Sequence, residues 1–189
     1  MGDGELIDTD AVVVGIGITP NSVLAEAAGL VVNNGIVVDD HLATSDPDIF
    51  AAGDVANAYY RYLGAHLRLE HWSAALNQGP AAAVNMMGRD SSYDQVPYFF
   101  SDQYEMGMEY AGFVEGGHYD EVIFRGDVTT GAFIAFWIRD QQVVAGMNVN
   151  TWDVTETIQR LVRSRQPVES SRLVDRSCSL EDIEHGGAR

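Results

Sequence analysis

The residues in this chain with the clearest chemical potential are Gly53 and Asp54, which close the run Thr44 to Asp54, TSDPDIFAAGD. A carboxylate that follows an apolar strand sits at the carboxyl edge of a sheet, where open α/β folds bind their ligands. Gly53 allows close approach of backbone to a ligand, and Asp54 accepts hydrogen bonds from sugar-type hydroxyls. A second feature is the helix start expected near Trp72-Ser73, whose free backbone N–H groups and positive dipole end could face an electron-rich ring edge. Both are binding chemistry. No side chain is arranged as a general acid, base or nucleophile, so the list of catalytic residues is empty. There is no G-x-S-x-G, no HExxH and no Cys/His cluster, and no metal site is expected. Cys178 is the single cysteine, which rules out an internal disulfide and a CxxC relay.

The elements that must position these residues follow from pattern. Residues 10–17 form a β-branched run ending in Gly15-Ile16-Gly17, read as a buried strand entering a tight turn. That GxG continues into Ile-Thr-Pro rather than x-x-Gly, so it is not a dinucleotide fingerprint. Pro20 to Leu30 reads as a short helix with Val23, Leu24 and Ala27 on one face and Gly29 as its stop. Val31-Val32 and Ile36-Val38 flank an Asn-Asn-Gly turn, which predicts a hairpin. Ser45 to Asp48 is a turn, Ile49 to Ala52 a short strand, and the Tyr59, Tyr60, Tyr62, His66 stretch an aromatic loop. Glu70 to Met87 carries helical spacing from about Trp72-Ser73, with a kink or break expected near Gly79 because of Pro80.

Residues 89–97 are polar and turn-prone, and beyond them the texture changes to alternating strands. Candidates are Tyr110–Val114, Glu121–Arg125, Ala132–Ile138 and Val143–Asn148, with hairpin-length turns at 127–131 and 139–141. Thr151 to Arg165 is an amphipathic helix with Val154, Ile158, Leu161 and Val162 on one face and Thr151 or Asp153 as its cap. An antiparallel sheet closed by one helix is a small α+β domain. Gln166 to Arg189 is polar, and partial disorder is expected after Ile183.

With 189 residues the chain can hold one or two packed domains. Its net charge of −17 arises from 28 acidic residues against 11 arginines and no lysine. That acidity disfavours nucleic acid and anionic membrane as partners, since their phosphates would be repelled. No apolar run is long enough to span a bilayer, and the N-terminus has no signal-peptide pattern. The lone cysteine fits a reduced, cytoplasmic setting. The arginines Arg160, Arg163, Arg165, Arg172 and Arg176 read as a solvated helix face and tail.

The segment TSDPDIFAAGD closely resembles the second flavin-binding motif of the FAD-dependent pyridine-nucleotide oxidoreductases. With AVVVGIGITPN upstream and RLEHW and VPYFFSDQY downstream, the chain resembles the ferredoxin reductases of oxygenase systems, of the putidaredoxin-, rhodocoxin- and biphenyl-dioxygenase-reductase type. The resemblance implies an α/β remnant of the FAD- and NAD-binding domains followed by a small α+β C-terminal reductase domain of antiparallel sheet plus helix. Residues 1–18 would end the NAD-binding domain, 19–95 form the C-terminal part of the FAD-binding domain, and 96–189 the reductase domain.

By the same resemblance, FAD would contact Gly53, Asp54, Glu70, His71, Trp72 and Phe100. Asp54 would lie on the ribityl chain, the Trp72 helix terminus at the pyrimidine edge, and the Tyr98–Phe100 loop over the ring. Gly15, Ile16 and Gly17 would touch NAD. The implied partners are NAD(P)H as electron donor and a [2Fe–2S] ferredoxin serving an oxygenase or P450. Relatives usually place tryptophan at the Tyr98 or Phe100 position, which this sequence lacks. Both GxGxxG fingerprints are also missing, as is the usual flavin-site lysine. The chain therefore reads as a C-terminal portion of a larger flavoprotein, inactive alone. The alternative reading is a flavin-free docking or dimerisation fragment, its open half-site covered by a second copy. A third keeps the flavin but changes the acceptor, as in oxidoreductases like apoptosis-inducing factor.

Overall fold

The computed structural model describes residues 6–184. Two sheets organise them, each with its own apolar core. The first sheet has the order β1-β2-β3, from Ile36–Val38, Ala56–Tyr60 and Ala65–Arg68. β1 runs parallel to β2, and β2 pairs antiparallel with β3. Helix α1 (Val23–Ala27) precedes this sheet and α2 (Trp72–Met86) follows it. Val38, Leu42, Ala58, Tyr60, Leu69, Ala74 and Ala82 pack together between sheet and helix.

The second sheet is antiparallel, in the order β4-β5-β8-β7-β6. Its strands are β4 (Tyr98–Gln103), β5 (Met106–Gly112), β6 (Glu121–Asp127), β7 (Ala132–Arg139) and β8 (Gln142–Val149). Ile134, Phe136 and Ile138 alternate along β7 and meet Ile158, Leu161 and Val162 of α3 (Thr155–Ser164). The helix comes close because β8 carries Gly146, where a Cβ would stand 2.5 Å from the Ile158 Cγ2. Two short helices, α4 (Ser170–Val174) and α5 (Leu180–Glu184), finish this core with Leu173, Leu180 and Ile183.

Tyr62 packs against both cores, and Arg163 of α3 reaches the carbonyl of Asp94 in the connecting segment.

Several sequence expectations require correction. Residues 10–17 form no strand and are exposed throughout, because no described strand lies beside them to pair with. In α1 it is Ala25 that is buried, while Val23 and Leu24 are exposed. The Val31–Val38 hairpin shrinks to one antiparallel bridge, Val32 with Ile36, since β1 spends its length pairing with β2 instead. Ile49–Ala52 holds only a bridge from Phe50 to Ala43, and the chain then turns through a 3-10 segment at Gly53–Val55.

The aromatic stretch is a hairpin, β2 and β3, because Ala56, Ala58 and Tyr60 face the core. Helix α2 runs unbroken through Pro80. Pro80 removes one N–H and so one hydrogen bond, and the buried stripe Ala74, Gln78, Ala82 and Asn85 holds the helix on both sides of it. Tyr98–Gln103 is an edge strand rather than a loop, so the second sheet has five strands. Val154, not Thr151 or Asp153, stands at the N-cap of α3. Order extends through α4 and α5 to Glu184, and the rest of the tail expected to be disordered lies outside the described residues.

The arginine group divides between pairing and solvent. Arg160 pairs with Glu184 at 2.8 Å and with Glu156 at 4.0 Å, and Arg163 pairs with Asp94 at 3.5 Å.

Candidate functional site

The site begins where α2 begins. His71 is the N-cap, with extended backbone (φ −97°, ψ 132°), and the first helical bond runs from the Ala75 N–H to the His71 carbonyl. Helix geometry leaves the Trp72, Ser73 and Ala74 N–H groups without intrahelical acceptors. No side chain caps this end, and its first turn holds no acidic residue. A helix start of this kind presents N–H donors and a positive dipole end to whatever lies before it.

A cleft of about 330 Å³ lies there, lined by Glu70, His71, Trp72, Ser73, Phe99 and Phe100. The aromatic wall comes from β4. Phe99 meets the His71 ring at 5.0 Å and stacks on Tyr110 of β5, also at 5.0 Å. Phe100 meets Trp72 edge-to-face at 6.3 Å. Phe100 is half exposed and Trp72 more so, leaving large apolar surface open at the cleft mouth.

His71 Nδ1 is buried and has no hydrogen-bond partner among the described residues. Burial pushes the His71 pKa down, against the pull of the Asp54 and Glu70 carboxylates. Burial thus favours the neutral imidazole.

Gly53 and Asp54 reach the same neighbourhood through the 3-10 turn. Gly53 takes φ +77°, where its bare Cα lies against α2; a Cβ would stand 3.5 Å from the Ala75 Cβ. The Gly53 N–H donates to the Gln78 side-chain oxygen at 2.7 Å. The Asp54 side chain is exposed, and its backbone carbonyl accepts from the Arg68 guanidinium at 3.1 Å. Arg68, with only 9% of its side chain exposed, also pairs with Glu70 at 2.8 Å and donates to the Asn34 side chain at 3.3 Å. Arg68 thus ties β3, the Gly53–Asp54 turn and the approach to α2 into one unit. Gly35 makes room for it, since a Cβ there would stand 2.7 Å from the Arg68 Cδ.

Of the sequence-predicted residues, Gly53, Asp54, Glu70, His71, Trp72 and Phe100 gather around the start of α2. Gly15, Ile16 and Gly17 do not join them: they are exposed, and no described hydrogen bond or ring contact links them to the cleft. Two contributors were missed by sequence reasoning. Arg68 stands inside the RLEHW run but was given no role. Gln78 was legible as a polar residue at helical spacing between Ala74 and Ala82. Phe99 lay within the expected Tyr98–Phe100 stretch, and the strand β4 gives it a defined place opposite Tyr110.

The wall is itself anchored. Tyr98 Oη donates to Glu109 at 2.7 Å, and the other carboxylate oxygen accepts from Asn148 at 2.8 Å and from Thr155 at 2.7 Å. Burial pushes the Glu109 pKa up, but the bonds from Thr155, Asn148 and Tyr98 outweigh it and hold the carboxyl below its ordinary 4.5. Burial, then the bond to Glu109, pushes the Tyr98 phenol up to about 12.

A carboxyl with a lowered folded-state pKa stabilises the fold fully above its unfolded value and loses that contribution as pH falls through the folded value. Acid titration of the melting temperature should therefore show a Glu109→Gln chain less sensitive than the wild type below pH 4.5. Parallel acid profiles for the two chains would remove Glu109 from that role.

Comparison with known proteins accords with this geometry. Residues 1–79 match the pyridine nucleotide-disulphide oxidoreductase family, and residues 98–184 match the reductase C-terminal family. Putidaredoxin reductase of Pseudomonas putida is 38% identical over 181 residues, 96% of this chain and 42% of that protein. The ferredoxin–NAD(+) reductase component of the anthranilate 1,2-dioxygenase system of Burkholderia cepacia is 37% identical, over 95% of this chain and 46% of that protein. The crystal structure of the covalent putidaredoxin reductase–putidaredoxin complex superposes with a TM-score of 0.86 at 37% identity, covering 97% of this chain and 44% of that one. The chain thus spans less than half the length of these relatives. Matched along both of its halves, it belongs to the pyridine nucleotide-disulphide oxidoreductases and carries their reductase C-terminal domain.

Proposed function

We propose that this chain supplies one half of a flavin site and the rim of a nicotinamide site to an FAD-dependent NAD(P)H:ferredoxin oxidoreductase serving an oxygenase or P450 system. The observation that carries this reading is the uncapped start of α2, opening on an aromatic-walled cleft with the Gly53–Asp54 turn docked alongside. The residues present fit a flavin. The first-turn N–H groups suit an electron-rich ring edge, the partnerless His71 Nδ1 suits a polar ring atom, and the exposed Asp54 carboxylate suits sugar-alcohol hydroxyls.

When bound, FAD would supply the change from a two-electron hydride donor, NAD(P)H, to one-electron deliveries to a [2Fe–2S] ferredoxin. The protein's share is binding, orientation and electrostatics. Asp54 accepts from the ribityl hydroxyls. The Trp72–Ala74 N–H groups and the helix dipole stabilise negative charge at the pyrimidine edge. Glu70 and His71 line that edge, while Phe99 and Phe100 cover the ring and exclude water. Gly15, Ile16 and Gly17 contact the nicotinamide cofactor.

In domain terms, residues 1–18 close the NAD-binding domain, 19–95 belong to the FAD-binding domain and 96–189 form the reductase domain. The setting is cytoplasmic; no helix among the described residues is long and apolar enough to cross a membrane.

The deciding experiment is the visible absorption spectrum of the purified chain after gel filtration with FAD. Flavin bands that co-elute with the protein are the expected result. A colourless protein that ignores added FAD would overturn the half-site as self-sufficient. It would favour the second reading, a flavin-free docking fragment that dimerises through its open face. The exposed Val12, Val13 and Ile16 are the apolar surface that favours that reading.

A further inference from the structure

We propose that Gln78 is a positioning residue, its carboxamide locking the Gly53–Asp54 turn to α2 so that the Asp54 carboxylate and the free N–H groups at the helix start address one ligand together. The inference rests on the flavin reading for the identity of that ligand, and on geometry for the lock itself.

Gln78 is 2% exposed and lies on the buried stripe of α2, between Ala74 and Ala82. Both neighbours on that stripe are small and apolar, so an apolar residue at 78 would complete the packing. What a glutamine adds is a hydrogen-bond acceptor at a chosen place. Its Oε1 takes the Gly53 N–H at 2.7 Å, the shortest kind of bond an amide pair makes. Gln78 stands six residues into the helix, about 9 Å along the axis from Trp72. The bond therefore fixes how far the turn can slide along α2 relative to the N–H donors.

Gly53 holds φ +77°, and a Cβ there would meet the Cβ and Cα of Ala75 in α2. Arg68 holds the Asp54 carbonyl, so Arg68 and Gln78 grip the turn at two consecutive residues. The other end of the Gln78 carboxamide faces the hydroxyls of Tyr60 and Tyr93, whose rings meet at 5.9 Å in the first core. Among the described hydrogen bonds, that of the Gln78 side chain is the one to the turn.

The test compares the wild-type chain with Gln78→Met, which keeps length and loses the acceptor, and Gln78→Glu, which keeps an acceptor oxygen. Amide hydrogen exchange by NMR is read at Gly53 and at Phe136, a central-strand residue of the distant sheet, alongside FAD titration. In Gln78→Met the Gly53 amide should exchange about tenfold faster with Phe136 unchanged, and FAD affinity should fall about tenfold. Gln78→Glu should bring Gly53 protection back to within about threefold of wild type.

The FAD losses of Gln78→Met and Asp54→Ala should be non-additive, since the first acts through the second. Unchanged Gly53 exchange in Gln78→Met, or equal acceleration at Phe136, would overturn the proposal. If the wild-type chain takes up no FAD, the half-site is not self-sufficient, and Gly53 exchange still decides whether Gln78 positions the turn.

Discussion

Replacing Asp54 with alanine is expected to weaken FAD binding by roughly 10- to 100-fold, the range set by losing charge-assisted hydrogen bonds of about 1.5–3 kcal/mol to ligand hydroxyls. The fold should tolerate the change. The Asp54 side chain is exposed and accepts no described hydrogen bond, while its carbonyl stays in the hand of Arg68. The melting temperature should therefore stay close to that of the wild type, as for surface substitutions generally. Asp54→Asn separates charge from shape, since it keeps one acceptor oxygen at the same place and should fall between wild type and alanine. Titration by flavin fluorescence quenching measures all three chains. Equal affinity for wild type and Asp54→Ala would remove this carboxylate from the site.

The largest stability effect is expected at Gly112, on the strand that backs the aromatic wall. Gly112 holds φ +113°, and a Cβ there would stand 2.5 Å from both the Ala145 Cα and the Val144 carbonyl oxygen. These are backbone atoms of the adjacent strand, which cannot turn aside as a flexible side chain could. Gly112 also donates its N–H to the Pro97 carbonyl, the residue that leads into β4. Gly112→Ala should cost about 3 kcal/mol, combining left-handed strain with a displaced strand pair.

Gly131 is the internal control. It too has positive φ, at +70°, but its Cβ position is open, so Gly131→Ala should cost only about 1 kcal/mol. Urea denaturation gives both values directly. A Gly112→Ala chain no less stable than Gly131→Ala would mean that β5 and β8 can part without penalty. Because β4 hangs from β5, the Gly112 variant should also loosen the cleft wall formed by Phe99 and Phe100.

Much of this molecule was legible in the chain of letters. The start of α2 at Trp72 followed from helical spacing. Strands β6, β7 and β8 were recoverable because their alternation and hairpin turns are local properties. So was the buried face of α3, where Ile158, Leu161 and Val162 recur at helical intervals. Local periodicity encodes these features, and neighbouring residues suffice to read it.

Tertiary structure decided the rest. The β-branched run at 10–17 has strand composition and no strand, because a strand exists only with a partner. Conversely, Tyr98–Gln103 has no clean alternation, and becomes a strand because β5 offers it a complete register from Tyr98 with Ala111 to Gln103 with Met106. Pro80 carries a helix-breaking signal that lost to the packing of Ala74, Gln78, Ala82 and Asn85 on either side of it. The grips on Asp54 from Arg68 and on Gly53 from Gln78 join residues 14 and 25 positions apart. Spacing along a chain cannot show such contacts, since they arise only when the 3-10 turn, β3 and α2 are brought together around one core.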